Sequence, residues 1–144
     1  MLNNALQQRI IETADQYHYI AEEQWAQAIE LQPESEEAGY EFRRLIRAAL
    51  LCYARAYLSL DLIETDDEQE LEDLLEIVAE QQPEFAEFFE KNDVLAVLDP
   101  DSDSHLSQVF AVAEAIRTIL LDRSGQLAAT IGTRFEEDAR SLGE

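Results

Sequence analysis

The chain has 144 residues, 32 of them acidic and 10 basic, for a formal charge of −22. An excess of that size predicts no broad contact with DNA or RNA, because phosphate neutralisation needs Lys and Arg in number. At 47% hydrophobic the chain is too apolar for a disordered acidic tail, yet no run approaches the ~18 uncharged apolar residues of a membrane span.

Apolar residues recur at helical spacing almost throughout. Leu6, Ile10, Ala14, Tyr17, Ala21, Trp25 and Ala28 stand three or four apart and predict one helix from about Asn3 to Leu31, stopped before Gln32-Pro33. Ser35 offers the next N-cap. A second helix from about Glu36 to Ile63 carries Phe42, Leu45, Ile46, Ala49, Leu50, Tyr53, Ala56, Tyr57 and Leu60, with Leu51, Leu58 and Leu62 on other faces. From Leu45 onward it is apolar nearly all round, the pattern of a central buried helix.

Thr65-x-x-Glu68 is a capping-box pattern and predicts a third helix beginning near Asp66, with Leu71, Leu74, Leu75, Val78 and Ala79 inward. Gln82-Pro83 ends it, and a short helix from about Glu84 to Lys91 follows, carrying Phe85, Phe88 and Phe89. Val94–Leu98 reads as a short apolar connection and Asp99–Ser104 as a loop, with Asp103 or Ser104 capping the last helical region. There Leu106, Val109, Phe110, Ala113, Ile116 and Leu120 hold one phase, which continues through Leu127, Ile131, Phe135 and Leu142. That phase predicts one long helix, possible kink included, running across Ser124-Gly125. The expected architecture is a single all-α domain over residues 1–144. It is an up-down bundle of three long helices and one or two short ones, joined by short loops.

Cys52 cannot form an internal disulfide as the single cysteine, and its apolar surroundings suit a packed thiol. Met1–Gln8 has neither a basic n-region nor an apolar h-region, so the expected location is the cytoplasm. The scarcity of lysine, represented by Lys91 alone, fits adaptation to a salty interior. Local clustering of charge speaks more directly to function. Segment Glu64–Glu90 holds twelve acids and no Lys, Arg or His, and marks a face for a basic partner protein, with Glu70, Asp73, Glu76 and Glu80 as its centre. The simpler alternative is the solvated side of an amphipathic helix.

Arg43, Arg44, Arg47 and Arg55 all lie on the second helix, and Arg43, Arg47 and Arg55 make a candidate anion-binding cluster. Internal salt bridges are the competing use. Asp99-Pro-Asp-Ser-Asp103 matches the first half of an EF-hand loop, but Ser104 stands where Gly is needed and Phe110 where a bidentate Glu is needed. His18 and His105 have no second His or Cys at ligand spacing, and no Glu stands three residues before either. No cofactor, metal or catalytic residue is therefore assigned.

Ala21-x-x-x-Trp25-x-x-Ala28-x-x-x-x-Pro33 resembles the second helix of a tetratricopeptide repeat, but no second copy follows about 34 residues on, and the segment is read as a helix ending in Pro. Arg47-Ala-Ala-Leu-Leu-Cys-Tyr-Ala-Arg-Ala-Tyr57, with the helix order around it, looks like a HEPN domain. That resemblance implies a small helical bundle, often dimeric. Catalytic members carry Arg followed four to six residues on by His, and no Arg here is followed by His at that distance. It thus implies a non-catalytic partner-binding or antitoxin-like module, working as a homodimer. The competing expectation is a nuclease or metal-assisted hydrolase built from Arg43, Arg47 and Arg55 with Asp99, Asp101 and Asp103.

Overall fold

The computed structural model describes residues 4–31, 36–99, 101 and 104–142, with the side chains of the last helix described through Ala129. Six helices follow one another: α1 (Asn4–Glu30), α2 (Glu36–Leu60), α3 (Leu71–Gln81), α4 (Pro83–Lys91), α5 (Val94–Leu98) and α6 (Leu106–Leu142). No strand occurs among the described residues, and no helix is long and apolar enough to cross a membrane. The architecture is the all-α bundle the periodicity predicts.

α2 is the axis of the molecule, packing on α1, α3 and α6. Six consecutive residues, Tyr53 to Leu58, are buried, which is possible only for a helix covered on every side. One hydrophobic cluster takes in Trp25 from α1, Leu50 and Tyr53 from α2, Leu74 from α3, Phe85 from α4, Val97 from α5 and Ile116 from α6. A smaller one joins Ala14, Ala56 and Leu60, with Leu127 of α6 against it. Tyr57 Oη accepts a hydrogen bond of 2.8 Å from Gln82 Nε2, tying α2 to the α3–α4 corner.

Three element boundaries differ from the sequence expectation. α2 stops at Leu60, three residues short of Ile63, because the chain turns through a Schellman motif. Ile63 N–H donates to Leu58 O at 2.8 Å, Leu62 N–H donates to Ser59 O at 3.1 Å, and Leu62 adopts a left-handed φ of 62°. Glycine is the usual occupant of that position, and a leucine there costs about 1–2 kcal/mol.

α3 begins at Leu71 instead of near Asp66. The Thr65 hydroxyl, expected to cap it, accepts a bond of 3.0 Å from Arg55 Nη1. Residues Asp66–Gln69 close a turn of their own, with Glu68 N–H donating to Asp66 Oδ1 at 3.0 Å. The reciprocal cap forms five residues later, where Asp73 Oδ2 accepts from Glu70 N–H at 3.0 Å.

Val94–Leu98, expected as a connection, is one turn of helix, entered through Asp93 at φ 49° and anchored by buried Val94, Val97 and Leu98. α6 starts at Leu106, and the His105 carbonyl accepts its first bond, from Val109 N–H at 3.0 Å. α6 then runs unbroken across Ser124-Gly125, as the preserved phase predicts; a Cβ at Gly125 would meet nothing within 4 Å, so no packing demands the glycine. The Ser35 and Asp103 caps and the Gln32-Pro33 stop lie outside the described residues.

Candidate functional site

The three candidate anion-binding arginines stand along one helix and reach three different segments. Arg55, 7% exposed, donates to Thr65 Oγ1 at 3.0 Å, Asp66 O at 3.1 Å and Gln69 O at 3.4 Å, so one guanidinium holds the whole α2–α3 loop. Arg47 bonds the Leu98 carbonyl at the end of α5 and pairs with Glu72 on α3. Arg43 donates to the Ser104 carbonyl before α6, and its Nη1 is buried without a hydrogen-bond partner among the described residues. Arg43 and Arg55 are about 18 Å apart along the axis at 1.5 Å per residue. The arginines are therefore braces for successive connections and do not converge on one open anion site.

A second constellation joins α1, α2 and α6, and sequence reasoning missed it. Arg117 donates from Nε to Tyr53 Oη at 2.8 Å and from Nη2 to both Glu22 oxygens at 3.0 Å. Its guanidinium lies 5.0 Å from the Trp25 ring centroid and 5.4 Å from that of Tyr53. His18 completes the group, its ring 6.3 Å from Tyr53 and its Nε2 buried with no hydrogen-bond partner among the described residues. The available signal was modest: His18, Glu22 and Trp25 at i, i+4 and i+7, and Arg117, the first cation of α6, beside its apolar stripe.

Burial pushes the Tyr53 phenol up to about 12, with Glu22 adding and Arg117 opposing, so it stays neutral and hydrogen-bonded. Burial also holds the His18 imidazole below its ordinary 6.5, against the smaller opposing pull of Asp15 and Glu22. A lowered folded value means the unfolded chain takes up the proton first, so stability is lost as pH falls below about 6.5. Between pH 7.5 and 5.5 the parent should therefore lose more stability than His18→Gln, by thermal melts in matched salt; parallel curves would remove His18 from the balance.

The acidic face lies on α3 and its flanks. Glu70, Asp73, Glu76 and Glu80 are all exposed, and none takes part in an ion pair among the described residues. With the helix starting at Leu71, Asp73, Glu76 and Glu80 fall within about 60° of one another, and Glu70 stands at the head of the row. Of the twelve acids in Glu64–Glu90, only Glu72 with Arg47 and Glu84 with Arg123 are in ion pairs among the described residues. Asp99 and Asp101 form a local turn, Asp99 Oδ1 accepting from Asp101 N–H at 2.8 Å; Asp103 lies outside the described residues. Among the described residues no three His, Cys, Asp or Glu side chains gather as ligands for one metal ion. Compared with protein-family models, curated proteins and solved structures, the chain matches none.

Proposed function

We propose that this protein is a non-enzymatic helical interaction module whose α3 face captures a basic partner protein. One observation carries the reading: arginines brace the inside while acids populate the outside. Arg43, Arg47, Arg55 and Arg117 reach across to other segments of the fold, whereas Glu70, Asp73, Glu76 and Glu80 stand exposed and unpaired. A face of one sign raises the local concentration of an oppositely charged partner and speeds its encounter. The missing Arg-to-His spacing supports the same reading, that of an accessory or antitoxin-like HEPN relative without ribonuclease chemistry. Exposed Tyr19 and Ile20, adjacent on α1, favour a homodimer, which light scattering on the purified protein reads directly.

The decisive measurement is association kinetics with the basic protein captured by the immobilised chain. Glu70→Gln, Asp73→Asn, Glu76→Gln and Glu80→Gln together should slow association roughly tenfold or more at low salt, with dissociation little changed. Asn at 73 keeps the oxygen that caps α3, so the fold should be retained. Neutralising Asp101 and Glu114, exposed acids off α3, is the control. Capture of no basic protein, or equal loss from both sets, would overturn the proposal. RNA cleavage in Mg²⁺, Mn²⁺ or Ca²⁺ that falls with Arg47→Ala and Asp99→Asn would establish the hydrolase reading in its place.

A further inference from the structure

α1 has two apolar seams. Ala14, Ala21, Trp25 and Ala28 form the inner one and are buried. Leu6, Ile10, Thr13, Tyr17 and Ile20 repeat at spacings of four and three one position earlier, on the flank, where Leu6 and Ile20 are exposed. Between that flank and the end of α2 lies a cavity of about 540 Å³, walled by Leu6, Ile10, Tyr17, Leu62 and Ile63 and floored by Arg55 and Ser59.

Glu64 and Thr65 also line a neighbouring depression of about 650 Å³, together with Asp66 and Asp67. Asp67 and Gln69 in turn help line a third, of about 620 Å³, with Glu70 and Asp99. The three adjoining depressions mark out a trough along the α2–α3 loop, apolar beside α1 and acidic beyond it. Segment 61–70 carries six acids and no Lys or Arg. None of the six is in an ion pair among the described residues.

From this juxtaposition we infer that the trough docks a polypeptide segment bearing an apolar side chain next to a run of Lys or Arg. The apolar group enters the socket beside Leu62 and Tyr17, and the cations lie along Glu64, Asp66, Asp67 and Glu70. The inference rests on the reading that the partner is basic, and it adds where the partner docks and which sequence it presents. Charge complementarity selects the occupant: a second copy of this chain has no longer run of Lys or Arg than Arg43-Arg44 to lay along the acids, and nucleic acids bring the same sign as the trough. Arg55 already holds Thr65, Asp66 and Gln69 in place, so the loop need not be ordered on binding. Leu62 is the informative residue. It stands 54% exposed at a left-handed position that suits glycine, so the fold neither buries its side chain nor favours it there.

The test uses the full chain and dye-labelled peptides read by fluorescence anisotropy. One peptide joins Trp-Leu to six lysines, in both orders; a second replaces Trp-Leu by Ser-Ser; a third joins Trp-Leu to six glutamates. The better Trp-Leu–lysine order should bind roughly tenfold tighter than the Ser-Ser peptide, the scale of one buried apolar side chain. The glutamate peptide should not bind. Leu62→Gly should raise the melting temperature, by relieving the left-handed leucine, yet abolish the tenfold advantage. Asp66→Asn with Asp67→Asn should weaken both lysine peptides, with a shallower salt dependence.

Equal binding of the Trp-Leu and Ser-Ser lysine peptides overturns the inference, as do an undiminished advantage in Leu62→Gly and tight binding of the glutamate peptide. If the advantage is absent but lysine peptides still weaken when α3 is neutralised, the trough fails and the acidic capture face survives. If no lysine peptide binds at all, both fall.

Discussion

Leu50→Ala should lower the free energy of unfolding by about 2–5 kcal/mol, the range for a core leucine whose site collapses only in part. Leu50 is 0% exposed, in the middle of the helix that meets α1, α3 and α6. Truncation there removes contacts on an element that cannot shift toward one neighbour without leaving another. Urea denaturation should show a lower midpoint at an unchanged slope, since the surface exposed on unfolding is nearly the same. Leu51→Ala, at a half-buried position one residue on, should cost clearly less. A Leu50→Ala protein that unfolds with the parent would remove α2 from the centre of the fold.

Arg55→Met should cost about 2–3 kcal/mol and loosen one loop in particular. The methionine keeps the aliphatic stem packed, while the donors to Thr65 Oγ1, Asp66 O and Gln69 O are lost. Hydrogen bonds from a charged donor contribute about 1.5–3 kcal/mol, and some of these acceptors regain water when the loop opens. Amide exchange should therefore rise across residues 61–70 and stay low in the middle of α1 and α2. Arg55→Lys should recover only part of the loss, because one ammonium cannot span three acceptors that suit a planar fork. Uniform acceleration of exchange would mean that Arg55 supports the core and not the loop.

Much of the fold was readable from local pattern. The apolar stripes of α1, α2 and α6 repeat over many turns, and a phase kept from Leu106 to Leu127 outweighed the single Gly125. Pro83 marked a boundary reliably, because proline removes a donor and suits the first turn of the helix it opens. The acidic row was equally plain, since exposure of Glu70, Asp73, Glu76 and Glu80 follows from their lying off the apolar stripe of α3.

The misplaced boundaries share one cause. Thr65-x-x-Glu68 is a sound local cap, but Arg55 takes the threonine hydroxyl, and nothing within four residues of Thr65 reveals that competitor. Leu62 closes a motif made for glycine because burial of Leu60 before the turn and packing of Ile63 on the core after it outweigh a local strain of about 1–2 kcal/mol. Val94–Leu98 winds into a helical turn because Val94, Val97 and Leu98 all reach the core, which a five-residue pattern cannot announce.

By itself, then, the sequence determined the long helices, their inward faces and the sign of the surface, because these depend on periodicity and composition within single segments. Only the tertiary structure decided where the cations go. Arg117 meets Glu22 across 95 positions of chain, Arg47 meets Glu72 across 25, and Arg55 gathers a loop that looked like the start of a helix. Such pairings depend on which helices become neighbours, and a guanidinium is long enough to reach several acceptors. Its partner is chosen by the packing of the bundle and not by its place in the chain.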